Sequence, residues 1–200
     1  MKNSFLVILT ILGIQQINAQ FTRRDSLQGG LRIERTSYDV KRYDLNITIN
    51  PEQKSIKGFN EITFEVLVPT QKIQLDLFEN MKVDSIVWNT KKLKYNRDND
   101  AVFIDFPEKL ASKSNHKLKF YYSGNPRIAR NAPWDGGFVF SKDKAGKDFI
   151  AVAVQGTGAS LWYPVKDSQT DEPDNGASIT VAVPNGLMNV SNGRFLGSQD

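Results

Sequence analysis

The sequence predicts an all-β fold, and three observations carry that reading. Apolar residues recur at every second position over long stretches from Tyr38 onward, which is the pattern of strands buried on one face. These stretches end at Pro, Gly and Asn clusters of the kind that make turns. After the first nineteen residues, no window of helical length shows convincing helical spacing.

The first strand has Tyr43, Leu45, Ile47 and Ile49 alternating with Asp44, Asn46, Thr48 and Asn50, and Asn50-Pro51 makes the turn. Ile56, Gly58, Ile62, Phe64, Val66 and Val68 share one parity in a long second strand stopped by Pro69. Ile73, Leu75 and Leu77 continue the alternation, and a further strand lies around Lys82–Trp88. Val102, Ile104 and Phe106 form a strand that ends at Pro107, while Leu118, Phe120 and Tyr122 form one that ends at Ser123-Gly124-Asn125-Pro126. The short apolar run Phe149–Val154 predicts a strand covered on both faces. Ile179, Val181 and Val183 lead into Pro184-Asn185-Gly186, a strong hairpin signal. Two irregular stretches, Asn125–Gly146 and Gln155–Gly176, interrupt the strands, and loops on a rigid β scaffold are where binding function concentrates.

Composition narrows the chemistry. The 200 residues contain no Cys and one His, His116, which removes disulfides, zinc ribbons, thiol nucleophiles and multi-His metal sites. The formal charge is +4, but acids and bases interleave, as in Asp39-Val40-Lys41-Arg42-Tyr43-Asp44. Nucleic-acid binding needs a basic stripe on one face, and the longest basic run, Lys91-Lys92-Leu93-Lys94, reads as a solvated strand end.

Residues 1–19 read as a secretory signal peptide, with Lys2 before the apolar run Ser4–Ile14 and Ala19 at the cut site. The apolar run, about 11 residues, is short of the roughly 20 needed to span a bilayer. Secretion or a periplasmic location follows from this reading. Gln20–Thr36, polar and with four Arg, reads as a leader that packs little, and the β domain begins at Ser37.

Several side-chain groups are candidates for chemistry. Gly156-Thr157-Gly158-Ala159-Ser160 is not a phosphate loop, because Leu161-Trp162-Tyr163-Pro164 cannot open a helix cleanly. It reads as a tight loop whose backbone approaches something closely. Asp167, Asp171, Glu172 and Asp174 lack the spacing of a calcium loop and read as a solvated acidic segment. His116 reads as a surface residue. Trp134 and Trp162 suggest an alternative function, a stand-alone secreted β-sandwich that binds glycan or a partner protein.

The order of short motifs resembles the N-terminal domain of aminopeptidase N-type zinc metallopeptidases, the gluzincin group, in a secreted bacterial form. Tyr38-Asp39-Val40, Tyr43-Asp44-Leu45-Asn46-Ile47, Ile56-Lys57-Gly58, Ile62-Thr63-Phe64, Leu75-Asp76-Leu77 and Tyr121-Tyr122-Ser123-Gly124-Asn125-Pro126 follow the family's order. More specific are Pro133-Trp134-Asp135-Gly136-Gly137-Phe138, the segment Gln155–Pro164 and Asp171-Glu172-Pro173-Asp174, with Ser191-Asn192-Gly193 near the end.

The resemblance implies a saddle-like open β-sandwich over residues 37–200, its last strands incomplete, in a chain that stops short of a catalytic domain. It implies an N-terminal substrate-capping domain of an enzyme that removes N-terminal residues from peptides, with that domain and the peptide as partners. In the family, a Gln nine residues before a Pro lines the substrate pocket, and Gln155 and Pro164 keep that spacing. Gln155 is therefore the expected substrate-binding residue, with Gly156 beside it allowing close backbone approach. Either Asp167 or Asp171 matches the family's loop carboxylate. The family's Zn²⁺ requires His-Glu-x-x-His and its amine-binding strand requires Gly-x-Met-Glu-Asn, and neither motif occurs here. No catalytic or metal-binding residue is expected in this stretch, and zinc is implied only for a downstream domain.

Overall fold

The computed structural model of the chain describes residues 20–199, so the proposed signal peptide lies outside the described residues. Two short helices, α1 (Arg23–Gly29) and α2 (Ile33–Thr36), precede the strands β1 (Tyr38–Asn50), β2 (Ser55–Val66), β3 (Thr70–Asp76) and β4 (Met81–Trp88). Next come β5 (Lys91–Lys92), β6 (Lys94–Asp98), β7 (Ala101–Leu110) and β8 (Asn115–Gly124). A ribbon of β9 (Gly137–Lys142) and β10 (Asp148–Ala153), a 3-10 turn (Ala159–Leu161) and β11 (Ala177–Ala182) complete the order. No helix among the described residues is long and apolar enough to cross a membrane.

The strands form a six-stranded sheet in the order β11-β1-β2-β8-β4-β5, a three-stranded sheet β3-β7-β6 and the two-stranded ribbon β9-β10. The first two face each other as an open β-sandwich, as the sequence predicts. Trp88 of β4 meets Phe106 of β7 edge-on at 5.4 Å, and Phe64 of β2 lies 6.1 Å from the same ring. The Tyr38 hydroxyl on β1 donates to the Gln74 carbonyl on β3, tying one sheet to the other.

Bulges reset the alternation. On β1, Tyr38 and Val40 are buried, then Tyr43, Leu45 and Ile47 of opposite parity, because the pairing with β2 slips between Val40 and Arg42. The extra residue returns the next side chains to the core face. The same happens on β4, where the slip between Val83 and Ser85 lets Val83 and Ile86 both point inward. Pro107 does not end its strand. It falls where the β3–β7 register breaks between Thr70 and Lys72, a place where its missing N–H disturbs no ladder, and β7 continues to Leu110. The second strand stops before Pro69, at Val66, leaving Val68 exposed.

The leader departs most from expectation. It packs firmly, because each Arg finds a partner on the three-stranded sheet or the turns beside it. Thr22 caps α1 in a capping box, donating its backbone N–H to Asp25 at 2.8 Å and accepting from the Asp25 N–H at 3.2 Å. Arg23 pairs with Asp98, Arg24 with Asp100, Arg32 donates to the Gln74 side chain and Arg35 pairs with Asp76 at 2.8 Å. Leu27 is buried beneath them. This strap covers the outer face of β3, which is why Gln74 and Asp76 are buried alongside Ile73 and Leu75.

The ribbon departs in the other direction. Phe140 and Ile150 pack on the core, but Phe149, Val152 and Val154 are 54%, 40% and 39% exposed. Among the described residues β10 pairs only with β9, and neither face of the apolar run is fully covered: Phe149 is exposed on one face, Val152 and Val154 on the face that also carries Ile150. Pro184-Asn185-Gly186 does turn, with the Leu187 N–H donating to the Pro184 carbonyl, yet no strand follows it among the described residues.

Candidate functional site

The Gln155–Pro164 segment leaves the end of β10 and re-enters the core. Val154–Thr157 is a turn in which the Thr157 and Gly158 N–H groups both donate to the Val154 carbonyl, at 3.1 and 3.0 Å. Gly156 has φ +69°, the left-handed region that the third residue of a type II turn requires. Gln155 stands at the apex and is exposed, and its carboxamide takes no protein hydrogen bond among the described residues. A few residues on, Leu161 is fully buried in the core and the Phe78 N–H donates to the Ser160 carbonyl. The turn is thus presented on a fixed base.

That base is a buried polar chain. The Asp167 carboxylate accepts from the Ser160 hydroxyl at 2.6 Å and the Ser160 N–H at 3.2 Å. The Asp167 N–H donates to Asp76 at 3.1 Å, and Arg35 bridges the Asp76 carboxylate and the Asp167 carbonyl at 2.8 and 2.6 Å. Asp76 and Val165 exchange backbone hydrogen bonds, which stitches the segment to β3. Gly158 lies so close to Asp167 that a Cβ there would collide with the carboxylate, the close approach expected of this loop. Burial pushes the Asp76 carboxyl up to about 6, against Arg35, Gln74 and the Asp167 N–H, which all favour the anion.

The acidic segment is not uniformly solvated. Glu172 and Asp174 are exposed, but the Asp171 side chain is buried, pairs with the buried Lys166 and accepts from the Val40 N–H at 3.2 Å. Lys166 also donates to the Tyr38 carbonyl at 2.7 Å and lies over the Tyr38 ring. Of the two carboxylates the sequence left open, Asp167 braces the loop that bears Gln155, whereas Asp171 anchors the chain to β1.

A second loop sits against the turn. Asp135 accepts from the Arg130 and Asn131 N–H groups at 2.6 and 2.7 Å, which folds Asn131–Gly136 tightly, and these bonds hold its carboxyl below the usual carboxylate range. Gly136 lies directly against the Thr157 side chain. The two tryptophans of the glycan alternative do not form one platform. Trp134 is 75% exposed, but Trp162 packs edge-on between Phe138 and Tyr163, at 6.0 and 4.8 Å.

His116 is half-buried rather than on the surface, between Trp88 and Phe64, with Nε2 2.7 Å from the Ser114 hydroxyl; burial lowers its pKa. Among the described residues no group of three or more His, Asp or Glu is placed to hold a metal ion. An open groove of about 690 Å³ lies between the β1–β2 turn, Gly124, Asp148 and Pro184, and Gln155 does not line it. The bracing network of Arg35, Asp76 and Ser160 was missed at the level of sequence. In sequence Gln74 and Asp76 occupy the outward positions of the alternation Ile73, Leu75, Leu77, where polar residues are expected, so their burial left no mark.

Comparison with known proteins places this architecture. A search of curated proteins gave no match. An M1 zinc metallopeptidase from Deinococcus radiodurans superposes with a TM-score of 0.62 at 21% identity, over 82% of this chain and 37% of that one. A mutant two-domain M1 zinc metallopeptidase bound to L-arginine does so with 0.62 at 20% identity, over 82% and 37%. Native yeast LTA4 hydrolase gives 0.64 at 14% identity, over 82% and 25%. This chain therefore spans little more than a third of the first of these relatives. At such identities the superpositions show the shared fold, and the family rests on a sequence model: residues 39–199 match that of the peptidase M1 N-terminal domain, so the chain belongs to the peptidase M1 N-terminal domain family.

Proposed function

We propose that this domain forms the substrate-side wall of a zinc-dependent aminopeptidase, capping a catalytic domain and contributing Gln155 to the pocket. The observation that carries the reading is the exposed, unpaired Gln155 carboxamide on a braced turn in an M1 N-terminal domain. A neutral amide both donates and accepts, so it can bind a peptide's first backbone unit or its free amine without competing for a metal. Gly156 keeps the turn free of a side chain beside it. Zinc, supplied by a catalytic domain, would polarise the scissile carbonyl and activate water. The residues of this domain position the peptide and exclude water from one side, and the domain by itself hydrolyses nothing. The signal peptide, residues 1–19, puts the enzyme outside the cytoplasm, secreted or periplasmic, with the β domain at residues 37–200.

The test is Gln155→Ala in the polypeptide that carries this domain together with a zinc catalytic domain. Loss of one neutral hydrogen bond is expected to raise KM about 3- to 10-fold for aminoacyl substrates with kcat less affected. An unchanged KM would remove Gln155 from the pocket. Zinc-dependent turnover by the isolated 200-residue chain would overturn the non-catalytic assignment.

A further inference from the structure

The strap begins abruptly. Gln20 and Phe21 are exposed, Phe21 to 87%, and Thr22 is the first residue engaged by hydrogen bonds among the described residues. Arg23 and Arg24 follow at once, paired with Asp98 and Asp100 on the three-stranded sheet and the turn that leads into β7. Only two loose residues therefore separate a chain start at Gln20 from the cap and the first two ion pairs.

We propose that Gln20, once cleavage after Ala19 makes it the first residue, is a modification site that cyclises to pyroglutamate and protects the strap from stepwise trimming. This rests on the signal-peptide reading. The chemistry is intramolecular: the free α-amine attacks the side-chain carboxamide carbon, a lactam C–N bond forms, the amide C–N bond breaks, and nitrogen leaves with the transferred proton as ammonia. No oxidant, reductant or cofactor is consumed. The reaction needs a free terminus and a carboxamide not held elsewhere. Gln20 meets the second condition, since no hydrogen bond among the described residues engages it.

The consequence follows from residue order. An exopeptidase that removes Gln20 and Phe21 next takes Thr22, which abolishes the capping box, and then the Arg23 and Arg24 anchors. Peeling would uncover the outer face of β3, where Gln74 and Asp76 depend on the strap for partners. A lactam carries no α-amine, so enzymes that recognise the free amine find nothing to bind.

The test is the N-terminal peptide mass of the protein recovered from secreting cells. The expected result is a peptide beginning at Gln20 and lighter than the open form by one ammonia. A peptide beginning at Gln20 with its amine free overturns the cyclisation while leaving the cleavage reading intact. A start at Met1, or at any residue other than Gln20, overturns both. As a second readout, wild type and the Gln20→Ala variant recovered the same way are exposed to a broad-specificity aminopeptidase. The variant is expected to lose Phe21 and Thr22 while the cyclised wild type keeps them, and equal trimming rates would overturn the protective role.

Discussion

The strap and the ribbon meet solvent in opposite ways. The strap, Thr22–Thr36, is polar in sequence yet buries Arg35 and Leu27 and satisfies its cations on the three-stranded sheet and the turn into β7. The ribbon β9–β10 is apolar in sequence yet leaves Phe149, Val152 and Val154 exposed. Polarity along the chain thus misjudges both. The difference lies in partners: the strap's lie within the described residues, whereas Phe149 on one face of the ribbon and Val152 on the other are left partly uncovered there.

Removing a partner from the strap should cause the largest change. Arg35→Met strands the Asp76 carboxylate in the core, with an expected loss of about 3–5 kcal/mol of stability in urea denaturation. Adding Asp76→Asn should recover much of it, because the buried charge is then gone; no recovery would mean that the pair acts by packing and not by charge.

A smaller, pH-dependent effect should separate wild type from that double variant. The folded-state pKa of Asp76 is raised from 3.8 to about 6, so the folded chain holds this proton more tightly than the unfolded one. The contribution is fully present below the unfolded value and is lost as pH rises through about 6. Wild type should therefore lose about 1–3 kcal/mol relative to the Arg35→Met/Asp76→Asn variant between pH 4 and pH 6.5. Differencing the two chains removes carboxylates of opposite behaviour, such as Asp44 and Asp39, whose lowered values favour folding above the ordinary carboxylate range. A flat difference would show that Asp76 titrates normally.

The smallest effect belongs to the ribbon. Phe149→Ser should alter the stability of this chain by no more than about 1 kcal/mol, since more than half of the residue is already in water. A loss comparable with the strap variant would show that the ribbon is supported by its own outer face, and the contrast between the regions would fail.

Most strands were legible because alternation over residues such as Leu45 to Ile49 or Leu118 to Tyr122 reports a half-buried surface directly. The Gln155 turn was legible too, through Gly156 and Gly158, which mark a backbone that needs positive φ or close approach. The bulges at Lys41 and Asp84 were not, because a register slip is a property of two strands and leaves no mark on one. Nor was the choice between Asp167 and Asp171, since both are acids in one run. Only pairing with Ser160 or with Lys166 separates their roles.

The sequence by itself therefore determined the all-β class, the positions of most strands (but not β6, nor β9 inside the stretch read as an irregular loop), the loop that carries the candidate site and the scarcity of metal ligands. These depend on local periodicity, turn chemistry and composition. Tertiary structure alone decided that the leader is a strap, that Asp76 and Arg35 are buried, and that Phe149 is not. Burial is set by what the chain folds against: Asp76 and Arg35 meet partners distant in sequence, whereas Phe149 is left half in solvent among the described residues.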